Sequence, residues 1–333
     1  MMNKRLKQGT TFLLALALAF PLLTLPGARA ANAIDTDRKC SVSFSVSGEG
    51  NELTAADTDI KVNLYKVADV DVSGNYTATK DFTGLNVSSV SADDKDAAAS
   101  EWADRAKEAQ KMLKESVEPT ATVTLAKGIG SKDGLATGLY LVDTPEVVTT
   151  NYTYTFTPYL VSLPTNNYYS NGNDTWIYDL TDTNAIGLKP EEHARYGDLK
   201  INKTLANHNA TTGKKATFVF KIEITPLKGK TETRIESLNF EAAGDSSVTI
   251  TKIPAGAKVK VTEVYSGASY KLTSANDQTA TIVATDRGST NTPASVSFTN
   301  DIDDNMNGGY GVKNNFKLDE NGQYQYTEPA EKN

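Results

Sequence analysis

The sequence predicts an all-β protein of two tandem β-sandwich domains, the first carrying a helical insertion. Three observations carry that expectation. Short runs alternate apolar and polar residues at the strand period of two, as in Ser41-Val42-Ser43-Phe44-Ser45-Val46. Stretches rich in Gly, Asn, Asp and Pro separate the runs. One segment alone, between Ser91 and Val117, changes to helical spacing. The chain has 333 residues, enough for two domains after removal of a targeting segment.

That segment is expected over residues 1–30. Lys4, Arg5 and Lys7 precede the apolar run Phe12 to Leu25, and Ala28-Arg29-Ala30 supplies small residues for cleavage, the pattern of a secretory signal peptide. Pro21 and Pro26 interrupt a run already short for a membrane anchor. Cys40 follows Asp37-Arg38-Lys39 and not a small apolar lipobox. As the single cysteine of the chain it forms no intramolecular disulfide, so an exported protein of this kind needs another staple or none.

The first domain is expected over 31–185. Its strands are Ser41–Val46, Asp59–Val67, Ala121–Leu125, Gly138–Val142, Asn151–Phe156, Tyr159–Leu163 and Trp176–Leu180. Ala98, Trp102, Ala106, Ala109 and Leu113 recur at helical spacing, which predicts an amphipathic helix over about 93–117, closed by Pro119 and packed across one side of the sandwich. Residues 186–195, with Gly187 and Pro190, read as a linker. The second domain, 196–333, has strands at Gly197–Leu205, Ala216–Ile224, Ser247–Ile250, Lys258–Tyr265, Thr279–Val283 and Ala294–Asn300, then a hairpin tail from Gly311–Leu318 and Gln323–Tyr326.

Composition removes several functions. A formal net charge of -7 argues against nucleic-acid and anionic-membrane partners, and after signal cleavage no apolar run is long enough to span a bilayer. His193 and His208 sit in polar sequence read as loop, too few with Cys40 for a zinc cluster and without a nucleophile elbow for a triad. Asp69-Val70-Asp71-Val72-Ser73-Gly74 begins like a calcium loop, but Lys80 stands where the bidentate glutamate belongs. Asp301-Ile302-Asp303-Asp304-Asn305 lacks the glycine at the sixth position. Both are read as solvated turns. No metal, no cofactor and no enzyme is expected.

The chemistry lies in three polar residues placed where a core is expected. Leu199, Ile201, Lys203 and Leu205 share one strand face, Val259, Val261, Glu263 and Tyr265 another, and Val296, Phe298 and Asn300 a third. An unpaired ammonium is costly in such a place. Burial lowers the pKa of a lysine and raises that of a carboxylic acid. A neutral Lys203 can then attack the Asn300 amide while a protonated Glu263 polarises its carbonyl and carries the proton to departing ammonia. The product is an autocatalytic isopeptide bond, made once per domain. The plainer alternatives are a buried Lys–Glu ion pair, or a lysine reaching outward from a strand end. In the first domain Ile60, Val62, Leu64 and Lys66 repeat the lysine signal, with Asp143 as the candidate acid of a second crosslink.

These residues resemble Gram-positive surface pilins built from collagen-adhesin B-type (Cna B-like) domains of immunoglobulin-like fold. Lysine in the first strand, Pro254-Ala255-Gly256 leading to Val261-Thr262-Glu263, and Phe298-Thr299-Asn300 in the last strand follow that family's order. Gly138-Leu139-Tyr140-Leu141-Val142 and Pro158-Tyr159-Leu160-Val161-Ser162-Leu163-Pro164 are similar to the amino-terminal domain of such pilins, and Trp176-Ile177-Tyr178-Asp179 to the opening of the pilin motif. The resemblance implies a secreted fimbrial subunit of the cell surface, with other pilus subunits and a sortase as partners. Lys189, in Leu188-Lys189-Pro190, is the nearest equivalent of the lysine joining one subunit to the next, displaced by an insertion. The tail Glu328-Pro329-Ala330-Glu331-Lys332-Asn333 has no LPxTG-like signal, which suggests a non-anchored pilus-associated subunit or a longer chain. The alternative is an adhesin for a host matrix protein or glycan, using Tyr152, Tyr154, Tyr168, Tyr169 and Trp176 as an aromatic surface.

Overall fold

Strands follow the alternating runs in the computed structural model, which describes residues 23–24, 33–46, 52–55, 58–91, 95–166, 175–182, 185–209, 215–267, 269–286, 288–303, 315–318 and 324–327. Two units result, Met1–Arg195 and Tyr196–Asn333. All but 23–24 of the expected signal peptide lies outside the described residues, as do Tyr168, Tyr169, Asp304 and Asn305.

The main sheet of the first unit contains β1 (Cys40–Ser45), β2 (Asp59–Val70), β3 (Ala121–Ala126), β4 (Ile129–Leu135), β5 (Gly138–Asp143) and β7 (Tyr159–Leu163), in the order β7-β5-β2-β3-β4-β1, with Asp179–Leu180 added beside β1. Its two faces are both buried. Ile60, Val62 and Leu64 of β2 join Tyr140 and Val142 of β5 in one core with Phe44, whereas Tyr65, Val67 and Ala68 join Leu139 and Leu141 in a second core under the helix. Burial on both faces is why the β5 sequence reads as an unbroken apolar run. Helix α1 (Lys95–Met112) lays Ala98, Trp102, Ala106 and Ala109 on that second core. It ends earlier than the spacing predicts, because Leu113 and Val117 bond three residues back, to Gln110 and Lys114, in separate turns.

The expected linker is part of this unit. Ile186–Gly187 pairs parallel to β1, and β8 (Pro190–Ala194) pairs antiparallel to β6 (Tyr152–Phe156). Ile186 and Leu188 are buried in the first core, so the segment is held by its own apolar residues as well as its backbone. The aromatic surface also needs correction. Tyr154 is 1% exposed, its hydroxyl donating to Glu192 at 3.2 Å, and Tyr152 and Trp176 pack partly against the core. Strand β4 escapes the sequence pattern, since Ile129-Gly130-Ser131-Lys132-Asp133-Gly134-Leu135 is largely exposed and lacks alternation.

The second unit is a sandwich of two four-stranded sheets. One has the order β12-β9-β16-β14, from β9 (Tyr196–Leu205), β12 (Gly244–Pro254), β14 (Tyr270–Leu272) and β16 (Ala294–Ile302). The other has the order β11-β10-β13-β15, from β10 (Ala216–Thr225), β11 (Glu232–Phe240), β13 (Lys258–Tyr265) and β15 (Asp277–Thr281). Leu199, Ile201, Phe218, Phe220, Ile222, Val259, Val261 and Phe298 fill the space between them. The first and last strands of the sandwich, β9 and β16, are parallel neighbours, with Lys203 opposite Phe298 and Leu205 opposite Asn300. Gly197 admits β9 at its start: an added Cβ would overlap the Val283 carbonyl. The tail forms its hairpin, with Asn315–Leu318 antiparallel to Tyr324–Thr327.

Candidate crosslinking site

The parity of three strands brings three polar side chains to one place. Lys203 on β9 and Asn300 on β16 point inward from one sheet, and Glu263 on β13 points inward from the other. Lys203 and Asn300 are 0% exposed and Glu263 5%. Lys203 Nζ donates to Glu263 Oε2 at 2.7 Å and also to Asn300 Oδ1, and Asn300 Nδ2 donates to Glu263 Oε1 at 2.7 Å. One carboxyl group therefore touches both the amine and the amide nitrogen. Lys203 Nζ also lies 4.4 Å from the centroid of the Phe218 ring, and Phe220 packs on Phe298 at 5.2 Å between centroids.

Electrostatics follow from that enclosure. Burial pushes the Lys203 pKa below the ordinary lysine value, and the hydrogen bond and charge of Glu263 oppose the shift in part. The arrangement differs from the expected one in one respect: Glu263 meets the amide nitrogen and not the carbonyl oxygen. Its two oxygens accept one from each partner, Oε2 from the amine and Oε1 from the amide N–H.

The other candidates are not assembled. Lys66 pairs with Asp69 at 2.5 Å, its side chain 21% exposed. Asp143 accepts from Gln110 of α1 at 2.6 Å. The two cannot form the suggested pair, because they stand on opposite faces of one sheet: Lys66 follows the parity of Ile60, Val62 and Leu64, Asp143 that of Leu139 and Leu141 under the helix. Lys189 is exposed, between buried Leu188 and strand β8. His193 lies on β8, not in a loop, with Nε2 3.1 Å from the Thr155 hydroxyl. Asp71 accepts from the backbone of Ser73 and Asn75 at 2.8 Å each, an Asx turn. Among the described residues no group of three or more His, Cys, Asp or Glu is placed to hold a metal, and no helix is long and apolar enough to cross a membrane.

The residues around Lys203, Glu263 and Asn300 carry no comparable signal in the sequence. Phe218 was legible as core but not as the ring beneath the amine. Asn276, whose Oδ1 accepts from the Glu263 backbone N–H at 3.1 Å, and Gln278, whose amide meets both backbone groups of Ser297, gave no periodic signal. Only knowledge of which strand edges meet finds them.

Residues 199–303 match a family model described as a domain of unknown function (DUF5979), a span from within the first strand of the second unit's sandwich to the end of its last. No curated protein matches the chain. Among solved structures, the chain is similar to GBS52, the minor pilin of the Gram-positive pathogen Streptococcus agalactiae, at 11% identity over 79% of this chain and 96% of that one, with a TM-score of 0.24. The full-length major pilin SpaD of Corynebacterium diphtheriae is similar at 12% identity over 83% of this chain and 100% of that one, TM-score 0.24. The Bacillus anthracis TIE protein is similar at 14% identity over 79% of this chain and 34% of that one, TM-score 0.30. At these scores the all-β assignment rests on the strand order of this chain itself.

Proposed function

We propose that this protein is an exported fimbrial, pilin-like subunit whose second domain is stapled by an isopeptide bond between Lys203 and Asn300. The observation that carries the reading is a single buried carboxyl group, Glu263, hydrogen-bonded to both the amine and the amide nitrogen. In the reaction Lys203 passes a proton to Glu263, and rotation of the Asn300 amide turns its carbonyl oxygen toward the acid. The neutral amine attacks the amide carbon. The new carbon–nitrogen bond forms, the bond to Nδ2 breaks, and Glu263 relays the proton from the attacking nitrogen to the departing ammonia. Atoms balance without a cofactor. Proximity supplies much of the rate, since folding holds nucleophile and electrophile together.

The bond suits a protein under tension. It would join the first and last strands of the sandwich, so that force passes along a covalent path in place of the hydrogen-bonded core. It closes a loop of 97 residues, and by analogy with a disulfide the constraint on the unfolded chain is worth about 4–5 kcal/mol. A chain with a single, buried cysteine has no intramolecular disulfide to do this. The sequence resemblance to Cna B-like pilins supports the fimbrial assignment, with other pilus subunits and a sortase as partners and the cell surface as location. Tryptic digestion followed by tandem mass spectrometry tests the staple. A branched peptide joining the segments around Lys203 and Asn300 is expected, and recovery of both as separate linear peptides would reject it. Surface fractions of the source cells should carry the protein in high-mass fibres; its presence only as free monomer in the medium would reject the fimbrial role.

A further inference from the structure

Glu263 sits at a bulge in the pairing of β13 on one side and just past the end of its pairing on the other. Toward β10 the register slips between Phe220, opposite Glu263, and Val219, opposite Tyr265. Toward β15 the pairing ends with Thr262 opposite Asp277. Beyond Thr262, β15 offers Glu263 no ladder partner. The segment Thr273–Gln278 makes up the difference. It leaves β14, which pairs with β16 through Leu272 opposite Asn300, and enters β15 in the other sheet. On the way it bonds to both halves of the site. Asn276 Oδ1 accepts from the Glu263 backbone N–H at 3.1 Å. The Thr273 N–H donates to Thr299 O at 2.8 Å, and Ser274 Oγ accepts from the Thr299 N–H at 3.1 Å. Gln278 Oε1 accepts from the Ser297 N–H at 3.0 Å while its Nε2 donates to Ser297 O. Its amide thus completes the outer edge of β16 as a partner strand would.

We infer that Asn276 and Gln278 are positioning residues for the crosslink: Asn276 fixes the backbone that carries the acid, and Gln278 ties the strand that carries the amide to the acid's sheet. Reactants supplied by two separate sheets need a tie between the sheets, and these side chains are that tie. The inference rests on the crosslink reading of Lys203, Glu263 and Asn300. Asn276 is exposed, so its replacement leaves the core untouched.

The test is a time course of bond formation in the full chain made by cell-free synthesis, stopped at intervals and read by intact mass as loss of one ammonia. Asn276→Leu, which keeps bulk and loses the acceptor, should slow the loss about ten- to a hundredfold, the scale expected when reacting groups are held less well. Asn276→Asp keeps the acceptor oxygen and should restore the rate, which a merely structural effect of the substitution would not produce. Gln278→Met, with circular dichroism to verify folding, should slow it as well and provides a second reading if Asn276→Leu fails to fold. Loss of ammonia at the original rate in the folded variants, or no rescue by aspartate, overturns the positioning role. Absence of the loss in the unaltered chain overturns the crosslink itself.

Discussion

Lys66 in the first unit and Lys203 in the second occupy the same kind of sequence position, a strand residue whose neighbours two and four places back are buried and apolar. Their surroundings differ. Lys66 lies where β2 slips register, between Lys66 and Ala68, and its ammonium meets Asp69 at the surface, the carboxylate 68% exposed. Lys203 lies mid-sandwich, capped by a second sheet that supplies Glu263, both side chains 0% exposed. Parity tells which face a side chain takes. It does not tell what stands opposite, and the opposite sheet decides whether a lysine meets a carboxylate at the surface or an acid and an amide in the core.

The largest expected consequence of that difference is in stability. Lys203→Ala should lower the melting temperature of the second unit by roughly 20 °C in calorimetry, from about 4–5 kcal/mol of lost chain constraint. Lys66→Ala removes one pair whose carboxylate is in solvent and should cost about 1 kcal/mol. Equal losses would erase the distinction between the two sites.

Next in size is a pH effect that appears only when the bond is absent. In Asn300→Ala, Lys203 stays titratable and buried, its pKa below the ordinary lysine value. The unfolded chain then binds the proton more tightly than the folded one, so stability is lowered by a full penalty at pH below the folded pKa. It should rise as pH climbs from there toward the unfolded lysine value of about 10.4. The unaltered chain, its amine consumed, should lack this rise. Denaturant midpoints across that range give the comparison, and identical slopes would mean that Lys203 is never acylated.

Smallest in its effect on the fold is Lys189→Ala, at an exposed position, where a change within about 0.5 kcal/mol is expected. If Lys189 is the acceptor of a sortase-made bond, co-expression with a pilus sortase should give high-mass ladders that the substitution abolishes. Ladders that persist would assign the acceptor elsewhere.

Much of this was legible in the residues because strand parity is strict wherever one face is buried. Leu199, Ile201 and Leu205 gave the face of Lys203, and Ala98, Trp102, Ala106 and Ala109 that of α1. Legibility failed where burial stops or pairing slips. Strand β11, Glu232–Phe240, is charged and half-exposed over most of its length and lacks the apolar alternation that marked its neighbours. Parity puts Tyr265 on the core face of β13, yet it is 49% exposed because the register shift after Glu263 turns it outward. Parity alone allows the match of Asp143 to Lys66, because its strand is buried on both faces and leaves two cores to choose from. Asn276 and Gln278 act through backbone groups far away in sequence, and nothing local announces that.

Intact mass of the folded, mature wild-type chain tests the central claim most directly. Loss of one ammonia relative to the sequence is predicted, with the full mass restored in Lys203→Ala, in Asn300→Ala and in Glu263→Ala, where amine and amide are present but unjoined. A wild-type mass that equals the sequence mass in fully folded protein would contradict the account and leave Lys203 and Glu263 as a buried ion pair.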